Sequence, residues 1–87
     1  MPNERRSSVE ILAEILRLVR NGEKKTRIMY GANLSHEALN KYLNFLREGA
    51  FIVHDEKGGR FHITQLGMEF AADLERVTRH LRSPMPP

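Results

Sequence analysis

Ile11, Leu12, Ile15, Leu16, Leu18 and Val19 recur at helical spacing and cover a broad arc, which predicts a helix over residues 7–20 buried on more than one side. Ser7 and Glu10 have the spacing of a capping box at its start, the hydroxyl placed to accept from the third helical amide and the carboxylate to reach back. Asn21-Gly22 should end it, since glycine takes the left-handed backbone that closes a helix. A short second helix is expected over residues 25–30, with Ile28 and Met29 inward, followed by a Gly31-Ala32-Asn33 turn.

The next stretch is the most strongly specified. Ser35 stands at an N-cap position, its side-chain oxygen able to accept from the first amides of the following helix, and Leu34 and Leu39 flank it at the spacing of a hydrophobic staple. Leu39, Tyr42, Leu43 and Leu46 then form a buried stripe. That leaves Glu37, Asn40, Lys41, Asn44 and Glu48 on the opposite side, with His36 at the first turn. Gly49 is expected to stop this helix. Two short helices joined by a tight turn, the second polar along one face, have the layout of a helix-turn-helix reader of DNA.

Residues 51–55 and 60–64 alternate apolar and polar positions around a turn of Glu56, Lys57, Gly58 and Gly59, so a two-stranded hairpin is expected, in the place of a wing. Thr64 is the candidate N-cap of a long final helix. Proline at 84, 86 and 87 cannot continue that helix, because it lacks the amide and collides with the preceding turn. The expected fold class is mainly α with a β-hairpin (α+β), a winged helix-turn-helix with a long C-terminal helix. Residues 1–6 would be a tail, 7–64 the winged helix-turn-helix domain, 65–82 the C-terminal helix acting as a dimerisation element, and 83–87 a frayed end. Within that last helix Phe70, Leu74, Val77 and Leu81 are spaced four, three and four apart. They read either as a short coiled-coil seam between two copies or as a stripe folded back on the first helix.

Charge adds a location to this outline. The net charge is +3, and the whole excess falls in residues 1–64, where 11 Lys and Arg stand against 8 Asp and Glu, with 3 against 3 beyond. Lys24, Lys25 and Arg27 crowd the approach to the second helix, while Lys57 and Arg60 flank the glycine pair. Together with Tyr30 and the amide end of the helix at Ser35, these are the candidate phosphate contacts, since cations, hydroxyls and helix N-termini hold phosphate. His36, Asn40, Lys41 and Asn44 are the candidate base readers: asparagine pairs bidentately with adenine, and lysine donates to guanine. Polar helix faces are also commonly just solvated. Glu37, Glu48, Asp55 and Glu56 near this surface keep a second reading open, a winged-helix module that meets a partner protein instead of DNA.

The run KKTRIMYGANLSHEALNKYLNFLREGAFI, with RRSSVEILAEIL before it and FHITQLGMEF after it, resembles the small archaeal winged-helix DNA-binding regulators, the branch that includes the dimeric chromatin-associated proteins of archaea. The resemblance covers nearly all of residues 5–80. It implies a binder of double-stranded DNA that pairs with itself through the last helix, the seam being Phe70, Leu74, Val77 and Leu81, and presents the third helix to the major groove. Gln65 departs from the charged position usual at the hairpin exit of that branch, and the short wing tip carries Asp55 and Glu56, which weakens the case for phosphate contact by the wing.

Other chemistries find little support. With no cysteine there is no disulfide or thiolate metal site, and the four histidines fall in different elements without ligand spacing. Gly58-Gly59 is too short for a phosphate cradle, and no serine stands in a nucleophile elbow. We therefore expect no enzyme, no cofactor and no small-molecule ligand. No apolar run reaches the ~18 residues of a membrane span, so the expected setting is cytoplasmic and nucleoid-associated, away from membranes. The expected partners are double-stranded DNA and a second copy of the chain in a homodimer, with a role in transcription regulation or DNA packaging.

Overall fold

The computed structural model describes residues 6–82, so most of the expected N-terminal tail and the expected frayed end at 83–87 lie outside the described residues. The elements run α1 (Ser8–Leu18), β1 (Glu23–Lys24), α2 (Lys25–Gly31), α3 (His36–Glu48), β2 (Ile52–Asp55), β3 (Arg60–Ile63) and α4 (Gln65–Arg82). Four helices and a three-stranded antiparallel sheet, with the β2–β3 hairpin as wing, make this a winged helix with a long C-terminal helix.

At the start of α1 the Ser7 Oγ accepts from the Glu10 amide at 3.2 Å, and the Ser7 amide donates to Glu10 Oε1 at 3.1 Å. The expected capping box is in place. The helix ends at Leu18, two residues before the expected Arg20, because the backbone turns there: Gly22 N donates to Val19 O at 3.0 Å, and Gly22 holds φ at +83°. A side chain at Gly22 would also fall 2.6 Å from the His62 ring. This turn delivers a strand that the sequence pattern did not predict. Glu23 and Lys24 pair with Phe61 and Arg60, giving the sheet order β1-β3-β2 in place of a bare hairpin. Two residues are too few to show alternation, so no periodic signal announces β1.

Both helices of the helix-turn-helix end in the same way. After α2, Leu34 N donates to Met29 O at 3.0 Å and Asn33 N to Tyr30 O at 3.2 Å, with Asn33 left-handed at φ +55°. After α3, Phe51 N donates to Leu46 O at 2.9 Å and Ala50 N to Arg47 O at 3.0 Å, with Ala50 at φ +62°. These are Schellman closures. The helix stops at Gly49 as expected, α3 ending at Glu48, but Gly49 is still right-handed at φ −80° and the left-handed reversal comes one residue later at Ala50. Phe51 sets that register, its amide taking the Leu46 carbonyl while its ring stacks on Phe70 with centroids 4.3 Å apart.

The core gathers Ile15, Leu16, Val19, Ile28, Leu39, Leu46 and Ile52, each almost wholly buried. Leu74 of α4 joins this cluster, and α4 lies along α1. The junction into α4 is made by one side chain. Thr64 Oγ1 donates to Ala50 O at 2.7 Å and Phe51 O at 3.0 Å, and accepts from Gly67 N at 3.0 Å, so it caps α4 while holding the end of α3. Gly67 rides directly over this junction, where any Cβ would overlap the Phe51 carbonyl oxygen. Gly67→Ala should therefore force the α4 start off β2 and destabilise the fold by about 1–3 kcal/mol. A thermal unfolding curve checks it, and an unchanged midpoint would show that the junction can move apart freely.

Candidate nucleic-acid interface

Burial of one side of α3 decides what the other presents. Leu39, Leu43 and Leu46 are in the core, and Ser35 caps the helix as expected, its Oγ accepting from Ala38 N at 3.1 Å. Leu34 and Leu39 on either side of the cap are both buried, consistent with the staple. The outward surface then divides into two rows at four-residue spacing. His36, Asn40 and Asn44 form one, and Glu37, Lys41 and Phe45 the other.

Three of the four candidate base readers thus share a row, and Lys41 stands one row over. His36, Lys41 and Asn44 are exposed and Asn40 is half-buried. The Asn40 side-chain amide nitrogen lies 3.3 Å from His36 Nδ1, so this pair is already linked in the unbound protein. Arg47, also exposed, falls three residues beyond Asn44 and seven beyond Asn40 and so extends the first row. It was not among the residues expected from sequence, although its seven-residue spacing from Asn40 carried the signal.

The second row faces a groove of about 750 Å³ between α3 and the start of α1, lined by Leu12, Ala38, Lys41, Tyr42 and Phe45 among others. Tyr42 crosses it, its hydroxyl donating to Ser8 Oγ at 3.3 Å. Phe45 remains 52% exposed.

Lys24 and Arg27 are exposed, Lys25 is half-buried, and Tyr30 is 74% exposed on α2. The sheet joins Lys24 to the wing, because it is the cross-strand partner of Arg60, which in turn pairs across β2 with Asp55. Arg60 is not a loose cation. Its Nη1 donates to Gly22 O at 3.3 Å and lies 3.9 Å from Glu23 Oε1. At the wing tip the Asp55 carboxylate accepts from Lys57 N at 3.1 Å, while the Lys57 residue itself is exposed. The two basic wing residues therefore differ: Lys57 reaches out, and Arg60 braces the base of the wing.

The four residues read as a seam on α4 divide as well. Leu74 is 7% exposed and belongs to the subunit's own core, and Phe70 is half-buried against Phe51. Val77 and Leu81 are 47% and 55% exposed. The first half of the stripe folds back on its own chain and the second half stands open. No helix among the described residues is long and apolar enough to cross a membrane.

The fold and the capped, outward-facing α3 define a winged helix-turn-helix protein. The chain belongs to the winged helix-turn-helix family, whose pattern it matches over residues 5–82. It is 39% identical over 80 residues to uncharacterized protein MJ0287 of Methanocaldococcus jannaschii, covering 91% of this chain and 80% of that protein. It is 35% identical over 80 residues to uncharacterized protein MJ0290 of the same organism, covering 91% of this chain but 37% of that longer protein. Among solved structures it resembles Sso10a-2, a DNA-binding protein from Sulfolobus solfataricus, with a TM-score of 0.79 and 26% identity over 85% of this chain and 80% of that one.

Because Ser35 supplies the only side-chain bond to the α3 amides found among the described residues, Ser35→Ala should cost about 1 kcal/mol. Ser35→Asp should restore the cap. Chemical denaturation of the two variants checks both statements.

Proposed function

We propose that this protein binds double-stranded DNA as a homodimer, each copy placing α3 in a major groove, and serves as a transcription regulator or chromatin component in the cytoplasm, on the nucleoid. The observation that carries the reading is the row of His36, Asn40 and Asn44 on α3, extended by Arg47 and exposed except for a half-buried Asn40, together with the exposed cations Lys24 and Arg27 that precede it on β1 and α2. Its donors and acceptors suit base edges, and the neighbouring charge suits phosphate. The likeness to Sso10a-2, a DNA-binding protein from Sulfolobus solfataricus, supports it.

In this reading Lys24, Lys25, Arg27, Tyr30 and Lys57 hold phosphates together with the amide end of α3 at Ser35, and Arg60 contributes field more than contact. His36, Asn40, Lys41 and Asn44 read bases. Residues 7–64 are the reading domain and 65–82 the dimerisation element.

The charges of α4 support an antiparallel arrangement of the two copies. Glu69, Asp73 and Glu75 lie in its first part, and Arg76, Arg79 and His80 in its second. Antiparallel pairing sets acidic against basic halves, whereas parallel pairing sets like against like. Val77 and Leu81 supply the exposed apolar contact.

Replacing Lys24, Lys25 and Arg27 together by alanine should weaken binding to any duplex and flatten the slope of log K against log salt by about 0.9 for each phosphate no longer neutralised. Fluorescence anisotropy over a salt series measures this. If the wild-type protein retards no random duplex in a gel at low ionic strength, the DNA reading fails and the protein-interaction reading takes its place. Asn40→Ala should cost about 1–3 kcal/mol of discrimination between preferred and scrambled duplexes with little effect on the scrambled one. Leu81→Asp should yield monomers in sedimentation equilibrium; a dimer mass that persists would remove α4 from the interface.

A further inference from the structure

Arg6 stands just ahead of the α1 cap and crosses to the turn between α2 and α3. Its Nη2 donates to the Ala32 carbonyl oxygen and lies 3.4 Å from that of Asn33. Neither oxygen is used by the backbone bonds that close this turn, which engage the carbonyls of Ile28, Met29 and Tyr30. Asn33 is the left-handed residue, and Leu34 beside it is buried, so Arg6 grips the chain where it reverses into the Ser35 cap. A cation there also meets the negative end of the α2 peptides.

We propose that Arg6 is a positioning residue for DNA recognition: by tying the segment ahead of α1 to the α2–α3 turn, it fixes the angle at which α3 leaves that turn, and it does so without touching phosphate. The inference rests on the DNA-binding reading. By charge alone Arg6 would count as one more phosphate ligand. The half-buried Arg6 instead directs its Nη2 at two carbonyls of a single turn. Lysine keeps a charge and three donors on one nitrogen but has a shorter, more strongly hydrated head than the guanidinium, and should replace arginine only in part.

The test compares wild type, Arg6→Ala and Arg6→Lys in anisotropy titrations of a random duplex over a salt series, with amide hydrogen exchange on the same proteins. Arg6→Ala should bind about tenfold more weakly, the scale of removing one charge-assisted hydrogen bond, with the wild-type slope of log K against log salt. Exchange should quicken at Leu34 and Ala38 but not at the amides of β2 and β3, and Arg6→Lys should recover part of the affinity. A slope reduced by about 0.9 would make Arg6 a phosphate ligand and overturn the proposal. So would unchanged affinity, or exchange that quickens equally throughout the fold, the mark of a merely stabilising residue. If the wild type binds no duplex at low salt, the DNA reading falls separately; exchange at Leu34 and Ala38 then decides whether Arg6 holds the turn, and an unchanged rate refutes it.

Discussion

Leu39, Leu43 and Leu46 leave water on one side of α3, in a cluster with Ile15, Leu16, Ile28 and Ile52. A helix of 13 residues is marginal in water by itself, where isolated helices shorter than ~12–15 residues hardly form. Its existence depends on this burial. So does its orientation: with successive side chains about 100° apart, burying that stripe sets Glu37, Lys41 and Glu48 on the far side and the row of His36, Asn40 and Asn44 along the flank, with Asn40 half-buried. Folding the domain and presenting the candidate reading surface are one event.

The two ends of α3 are held by backbone under local strain. Asn33 and Ala50 are both left-handed, which costs about 1–2 kcal/mol for a residue with a side chain, offset by the Schellman bonds and by burial of Leu34 and packing of Phe51. Asparagine tolerates this geometry and alanine does not prefer it, so the closure at Ala50 is imposed by its surroundings. Thr64 is the chief of these. One hydroxyl joins the carbonyls at the end of α3 to the first turn of α4, and Phe45, Phe51 and Phe70 continue the link as a run of rings with centroids 6.4 and 4.3 Å apart. The proposed reading helix and the proposed dimerisation helix are thus mechanically connected within one chain.

Electrostatics follow from topology as much as from composition. The sheet sets Lys24 opposite Arg60 and Arg60 opposite Asp55. Like charges facing across strands are unfavourable, and Arg60 turns to Glu23 and the Gly22 carbonyl. The basic character expected of the wing is in consequence concentrated at Lys57. The wing acts here as a brace that carries β1, and with β1 the start of α2, against the core.

Periodicity, caps and glycine positions in the sequence determined the four helices, the hairpin, the polar side of α3 and the cap at Ser35, because each rests on interactions within a few residues along the chain. The family resemblance drawn from the run between Lys24 and Ile52 pointed to the winged helix that the fold displays. Tertiary structure alone decided the rest: the two-residue strand β1, which exists only because β3 offers it a partner; the reversal at Ala50, set by Phe51 and Thr64; the contact of Arg60 with Glu23 and the Gly22 carbonyl; the grip of Arg6 on a turn 26 residues away; and the division of the α4 stripe into a buried Leu74 and an open Val77 and Leu81. Each of these depends on contacts between residues far apart in sequence, and a local pattern of apolar and polar positions records which side of an element is buried but not what buries it.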